Sequence, residues 1–336
     1  MTKQQSIIRR YTRIGATTLA ALTIPLLVAC SSPQVDPAAT RDAVAEAIEE
    51  PSVDSASVTD ETYDFALHPE PMVEPLECTP YLVVTVRGTG EPTKGQLLSP
   101  VAREISKARP DEVTQVDLDY PADTEVREGG SKGVRVLLDT LRVQSETCGD
   151  EQSYILLGYS QGALVIGDAL SAPEDRMVGV TAGEVPDEAA AQVRSIVMYG
   201  NPRFQSSEKY DFGTYKMNRD GVFPRREGAL TAYENRIRDF CVDKDLVCQS
   251  AFDATEDAHI EYFDNGMQQD GTAFVVSRLD PAKPKPKKDA KSKSGQTQND
   301  KSTDEKSTDD KSSGDKQGDS PATENDQGSA GTDPRP

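Results

Sequence analysis

Histidine is scarce in this chain. The 336 residues include two, His68 and His259, so a neutral base working near pH 7 has at most two candidates. Basic residues are in deficit as well. Lys and Arg number 37 against 57 Asp and Glu, a formal net charge of −20, which argues against nucleic acid as a partner. Large apolar side chains are missing altogether from Pro281 onward, where there is no aromatic residue and no aliphatic one larger than Ala. Such a stretch cannot bury enough apolar surface to offset its ordering entropy, so 281–336 is expected to be a disordered low-complexity tail. Within it Lys-Ser-Thr-Asp occurs at 301–304 and again at 306–309, and its charges nearly cancel. The net acidity therefore belongs to the rest of the chain.

Acidic residues are absent before Asp36. Lys3, Arg9, Arg10 and Arg13 form a basic start, and an apolar run follows from Ile14 to Ala29. That order predicts an export signal over 1–29 rather than a stable membrane span. Leu27-Val28-Ala29-Cys30 resembles the bacterial lipobox. Cys30 is thus expected to carry lipid and to tether the protein at the outer face of the membrane. Each buried methylene contributes about 0.8 kcal/mol, so several chains anchor stably. Residues 30–77, rich in Pro, Ala, Glu, Asp and Ser, are expected to be an acidic spacer, mostly disordered, with a short helix at most over Arg41–Glu50. The cysteines agree with export. With Cys30 assigned to lipid, four remain for two disulfides, and three pairings are possible. Cys241 and Cys248 can close a small ring, which leaves Cys78 with Cys148.

Between 78 and 280 strand and helix patterns alternate. Tyr81–Val86, Val113–Leu118, Tyr154–Leu157, Val193–Tyr199 and Arg236–Phe240 are five strand candidates. Continuous apolar runs, clearest in the first and third, predict strands buried on both faces, as in a parallel sheet. Gly133–Ser145 puts Val134, Leu137, Leu138 and Leu141 on one helical face, and Ala163–Leu170 and His259–Leu279 also read as helices. The expected fold is one α/β domain with helices on both sides of the sheet.

Gly158-Tyr159-Ser160-Gln161-Gly162 matches Gly-x-Ser-x-Gly, a modest signal by itself. Its setting sharpens it, because it follows a strand and precedes a helix, as a nucleophile elbow requires. The glycines allow close chain approach, and the helix N-terminus faces the charge that develops in acyl transfer. A serine nucleophile needs a base. His259 is the only histidine outside the spacer, so it is the candidate. The base needs an orienting carboxylate, which in hydrolases of this chain order lies between serine and histidine. Asp239, Asp243 and Asp245 cluster there, and composition does not choose among them. Asp245 lies inside the Cys241–Cys248 ring, where a disulfide would steady it. No further ligand pattern accompanies Asp243-Lys244-Asp245, so neither metal nor other cofactor is expected.

Six ordered stretches resemble the cutinase family, particularly its actinobacterial members. They are Arg87-Gly88-Thr89-Gly90-Glu91-Pro92, Tyr120-Pro121-Ala122, Gly158 to Ala163, Tyr199-Gly200-Asn201-Pro202, Cys241-x-x-x-Asp245-x-x-Cys248, and His259 with Glu261-Tyr262. The resemblance covers roughly 78–280. It implies an α/β-hydrolase-like three-layer sandwich around five parallel strands. It favours Asp245 over Asp239 and Asp243, supports the Cys78–Cys148 pair, and places an oxyanion hole at Gln161 and Thr89. It implies hydrolysis of carboxylic esters, from short acyl esters to lipids and polyesters, by a chain expected to be monomeric. The acidic stretch Asp253–Asp257 departs from the pattern and puts chain-length preference in doubt. A triad of this kind also fits an acyltransferase passing its acyl group to a sugar or lipid alcohol. A surface protein that only binds envelope lipid is the non-enzymatic rival.

Overall fold

The structure, a computed structural model, describes residues 61–282. The export signal, Cys30, the Arg41–Glu50 helix and the tail beyond 282 lie outside the described residues. Strand β1 (Tyr81–Val86) is buried at all six positions. Its neighbours are β2 (Val113–Asp117), β3 (Ser153–Tyr159) and β4 (Val193–Tyr199). Beyond β4 come β6 (Ile237–Cys241) and β5 (Asp211–Gly213). The order is β2-β1-β3-β4-β6-β5, and every pairing is parallel. The expected five strands are therefore six. The extra one, β5, is three residues long and pairs only with β6. A run of that length, ending in Gly213, carries no periodicity that sequence could display.

Alternate residues of the central strands enter two separate cores. Leu82, Val84, Val86, Tyr154 and Leu156 pack with helices α2 (Val126–Cys148) and α3 (Gln161–Ala169). Tyr81, Val83, Ile155 and Leu157 pack on the opposite face with α1 (Ser99–Ala108) and α6 (Met267–Val276). Helix α4 (Asp187–Gln192) adds Ala189 to the first core. The result is the expected three-layer sandwich. The expected long helix from His259 to Leu279 is broken instead. Helix α5 (Glu256–His259) ends at the histidine, a 3₁₀ turn covers Glu261–Phe263, and α6 starts after Gly266. Gly266 sits at φ 91°, and Asn265 Oδ1 accepts the Met267 N–H at 3.0 Å, so a turn is built in at that point.

One boundary moves. Residues 61–77, expected to belong to the spacer, are fastened along α2. Buried Arg135 donates to the carbonyls of His68 (2.6 Å) and Glu70 (2.8 Å). Asp139 accepts the Met72 N–H at 2.9 Å, Gln144 accepts that of Leu76 at 2.7 Å, and Val73 and Leu76 pack on the core. Side chains of the helix satisfy the segment's backbone, so it needs few apolar residues of its own. Both disulfides, Cys78–Cys148 and Cys241–Cys248, are formed as paired above.

The sheet order positions the site. From β1 the chain passes to β2 on one side, while β3 lies on the other, so the order reverses between β1 and β3. Crevices outside the carboxyl ends of strands at such a reversal are where α/β sheets bind ligands. Thr89 follows β1 there, and Ser160 follows β3.

Candidate active site

Ser160 occupies the turn between β3 and α3 with φ 53° and ψ −120°, a conformation a side-chain-bearing residue adopts at a cost of about 1–3 kcal/mol. The surroundings enforce it. A Cβ on Gly162 would lie 1.8 Å from the Val86 carbonyl oxygen, and one on Gly158 would lie 2.9 Å from the backbone of Ala163. Only glycine lets β1, β3 and α3 approach this closely. The Ser160 N–H donates to the Tyr199 carbonyl at 2.9 Å, which ties the turn to β4.

His259 reaches Ser160 from the far end of the sequence. Its Nε2 is 3.0 Å from Ser160 Oγ, and its Nδ1 is 2.9 Å from both carboxylate oxygens of Asp245. The histidine and the aspartate are fully buried, and Ser160 is 3% exposed. Tyr159 stacks on the imidazole at 5.1 Å between ring centroids, and its hydroxyl donates to the His259 carbonyl at 2.9 Å. Gly200, at φ 56°, covers the ring edge: a Cβ there would stand 2.6 Å from His259 Cε1 and 3.2 Å from Asp245 Oδ2. Thr255 caps α5 by accepting the Ala258 N–H, which fixes the short helix that carries the histidine.

Of the three clustered acids, Asp245 is the one that meets His259. Asp243 pairs with Lys216 at 2.8 Å, and Asp239 accepts from Asn201 Nδ2 at 2.7 Å on the sheet. Within the Cys241–Cys248 ring, Asp245 Oδ1 accepts the N–H groups of Val247 (2.8 Å) and Cys248 (3.3 Å). Its Oδ2 accepts from the Tyr262 hydroxyl at 2.7 Å. Burial pushes the Asp245 carboxyl upward. The His259 charge and hydrogen bonds from His259, Tyr262 and Val247 outweigh it, so its pKa lies below the ordinary range.

Thr89 and Gln161 close the other side of Ser160. Gln161 is the first residue of α3, whose N–H has no intrahelical acceptor. A Cβ on Gly88 would lie 3.2 Å from Ser160 Cβ, so the loop after β1 rests directly on the serine. Thr89 Oγ1 donates to the Gln161 side-chain oxygen at 3.2 Å. Buried Arg87 laces this loop, donating to the carbonyls of Glu91 (2.9 Å), Leu118 (3.1 Å) and Pro121 (3.0 Å).

Sequence reasoning gave no role to four neighbours: Tyr159, Gly200, Tyr262 and Glu91. Each lies within a motif noted above, yet its work is set by the partner it meets in the fold: His259 for Tyr159 and Gly200, Asp245 for Tyr262, and the N–H groups of Gly88 and Leu97 for Glu91. The other histidine, His68, is exposed and only its backbone is used.

The Cutinase family model matches residues 77–279. A cutinase of Kineococcus radiotolerans is 30% identical over 202 residues, covering 59% of this chain and 61% of that protein. The chain thus spans about three-fifths of that relative's length. A protein named Probable carboxylesterase Culp7, from Mycobacterium tuberculosis, is 30% identical over 170 residues, covering 48% of this chain and 82% of its own length. Among solved structures, the catalytic core domain of acetyl xylan esterase from Trichoderma reesei superposes with TM-score 0.53 at 22% identity. That match covers 60% of this chain and all of the other, and it speaks for the fold. With the family model spanning most of the described residues, the chain belongs to the cutinase family.

Proposed function

We propose that this protein is a serine carboxylic ester hydrolase acting on acyl or lipid esters through an acyl-enzyme. The observation that carries the reading is the unbroken line from Asp245 through His259 to Ser160, at 2.9 and 3.0 Å, on an elbow beside the β1–β3 reversal. Ser160 Oγ attacks the ester carbonyl and passes its proton to His259 Nε2. Asp245, ionised, accepts from Nδ1, fixes the tautomer and stabilises the imidazolium. The N–H of Gln161 and the N–H and hydroxyl of Thr89 take the oxyanion. His259 returns the proton to the departing alkoxide. Water, deprotonated by the same nitrogen, then releases the acid.

The apolar acyl group is read from exposed apolar side chains on and beside the segment that leads from Asp245 to His259. Phe252, on the segment joining Asp245 to His259, is fully exposed, as are large parts of Met217 and Phe223. Those residues stand on a loop stitched to the Phe252 segment by the Arg219–Asp253 ion pair at 2.9 Å and by the Val222 N–H to the Val247 carbonyl. The proposal extends to place: export, and a lipid on Cys30 holding the enzyme at the outer membrane face, rest on the run Leu27–Cys30. A Cys30→Ser variant is expected to leave the membrane fraction for the medium.

The test is hydrolysis of p-nitrophenyl esters of increasing acyl length by the protein and by Ser160→Ala. Turnover is expected in the protein, with a fall of at least about 10³-fold in the variant. Equal rates in both, or no turnover in either, would overturn the reading.

A further inference from the structure

In a chain with 57 acidic residues against 37 basic ones, an arginine has carboxylates to choose from. Two arginines side by side have none. Arg238 lies near the amino end of β6, and Arg278 lies just past α6. Among the described residues neither forms an ion pair with a carboxylate, and the nearby Asp280 is held by Arg194 at 2.5 Å. Both guanidiniums rest on one phenyl ring. Their carbons are 4.4 Å (Arg238) and 3.7 Å (Arg278) from the Phe274 centroid, and so no more than about 8 Å from each other. Burial pushes both below the ordinary arginine range, and the Arg278 charge pushes Arg238 lower still. Two like charges are thus held together, partly out of water, without a counterion from the chain. A bound anion would offset that cost.

The donors such an anion needs are still open. A guanidinium carries five N–H donors in one plane. Among the described residues Arg238 spends one on the Ile237 carbonyl at 2.9 Å, and Arg278 spends one on the Asn235 carbonyl at 2.7 Å. A guanidinium held over a ring keeps its edge for the two-point hold that suits phosphate and carboxylate. Charge chooses between those two. A phosphate monoester carries about −1.5 to −2 near pH 7 and so matches two guanidiniums, whereas a carboxylate carries one charge. Phe212 adds an apolar wall, since its ring is 38% exposed and its centroid is 4.0 Å from the Arg238 guanidinium carbon. We propose that Arg238 and Arg278 form a binding site for a phosphate monoester, with Phe212 against the organic group that bears it. The site stands apart from the catalytic crevice, because Arg238 is at the amino end of β6 while Ser160 follows the carboxyl end of β3 in the same parallel sheet. It does not depend on the esterase reading. Phosphate monoesters occur on small soluble molecules and on lipid headgroups, and the test separates those sources.

The test uses the full chain and two probes. Phenyl phosphate is titrated in solution by calorimetry. Phosphatidylcholine vesicles doped with phosphatidic acid are tested by co-sedimentation, scored as the excess over phosphatidylcholine alone. The parent should bind at least one probe, and Arg238→Gln and Arg278→Gln should each weaken that binding at least about tenfold. Lys132→Gln, which removes one positive charge on α2, should bind like the parent. Benzoate, with a single charge, should bind at least about tenfold more weakly than phenyl phosphate. Binding of phenyl phosphate assigns the site to a soluble monoester, and binding to the doped vesicles alone assigns it to a lipid headgroup. Should either Gln variant fail to fold, Arg238→Lys and Arg278→Lys keep the charge but lose the fork, and they should still weaken binding severalfold. Absence of binding to both probes in the parent, or an equal loss in Lys132→Gln, would overturn the proposal and leave the two arginines as covers of Phe274.

Discussion

Raising the pH from 5 to 8 is expected to destabilise the folded domain, and Glu91 is the clearest reason. Its carboxyl is 5% exposed and accepts the N–H groups of Gly88 at 2.8 Å and Leu97 at 2.9 Å. Burial raises its pKa from 4.5 to about 7, against the pull of those two hydrogen bonds and of the Arg87 and His259 charges. Between pH 4.5 and about 7 the folded state keeps a proton that the unfolded chain has released, so stability falls as pH rises through that window. The loss is on the order of 3 kcal/mol, since each pKa unit is about 1.36 kcal/mol. For a domain of this size it corresponds to a Tm lower by about 10 °C. Asp239 and Asp211, opposed in register on β6 and β5, add to the trend: burial raises both, and the Asp239 charge raises Asp211 further. Asp245 does not offset it. Its pKa is lowered, so its contribution is complete above the ordinary 3.8 and is lost only in acid. The assay is calorimetric Tm at pH 5, 6, 7 and 8 and fixed ionic strength, for the parent and for Glu91→Gln, which cannot titrate. The parent Tm should fall with pH and the variant's should fall less. A flat or rising parent Tm, or equal slopes in the two proteins, would refute the reasoning.

Two further outcomes follow from buried contacts. Tyr262→Phe removes the 2.7 Å hydrogen bond to Asp245 and leaves the Val242 N–H, 3.0 Å from the hydroxyl, unpaired. Stability should drop by about 1–3 kcal/mol in urea unfolding, and kcat by about tenfold with KM little changed. Arg135→Met strips Asp139 of one of its two arginines and frees the carbonyls of His68 and Glu70. It should cost about 3 kcal/mol, and limited proteolysis should cut within 61–77 well before the sheet domain is degraded.

What could be read in the sequence and what could not divide along one physical line. Features whose cause is local were legible. β1 and β3 show as continuous apolar runs, the elbow as two glycines around Ser160, and the small ring as two cysteines seven apart. Features whose cause is a distant partner were not. Asp239, Asp243 and Asp245 have similar local chemistry, and what separates them is the turn of β6 into the ring, which alone aims a carboxylate at His259. Tyr262 looks like any core tyrosine until its hydroxyl meets Asp245. The segment 61–77 is the sharpest case. Its own composition is that of a spacer, because the groups that order it belong to α2. The trace it leaves is on the helix, where Arg135, Asp139 and Gln144 are interleaved with the apolar stripe of Val134, Leu137, Leu138 and Leu141. Charged and amide side chains buried along such a stripe require partners. Their presence in the helix pattern was the available sign that another piece of chain, presenting bare backbone, had to lie there.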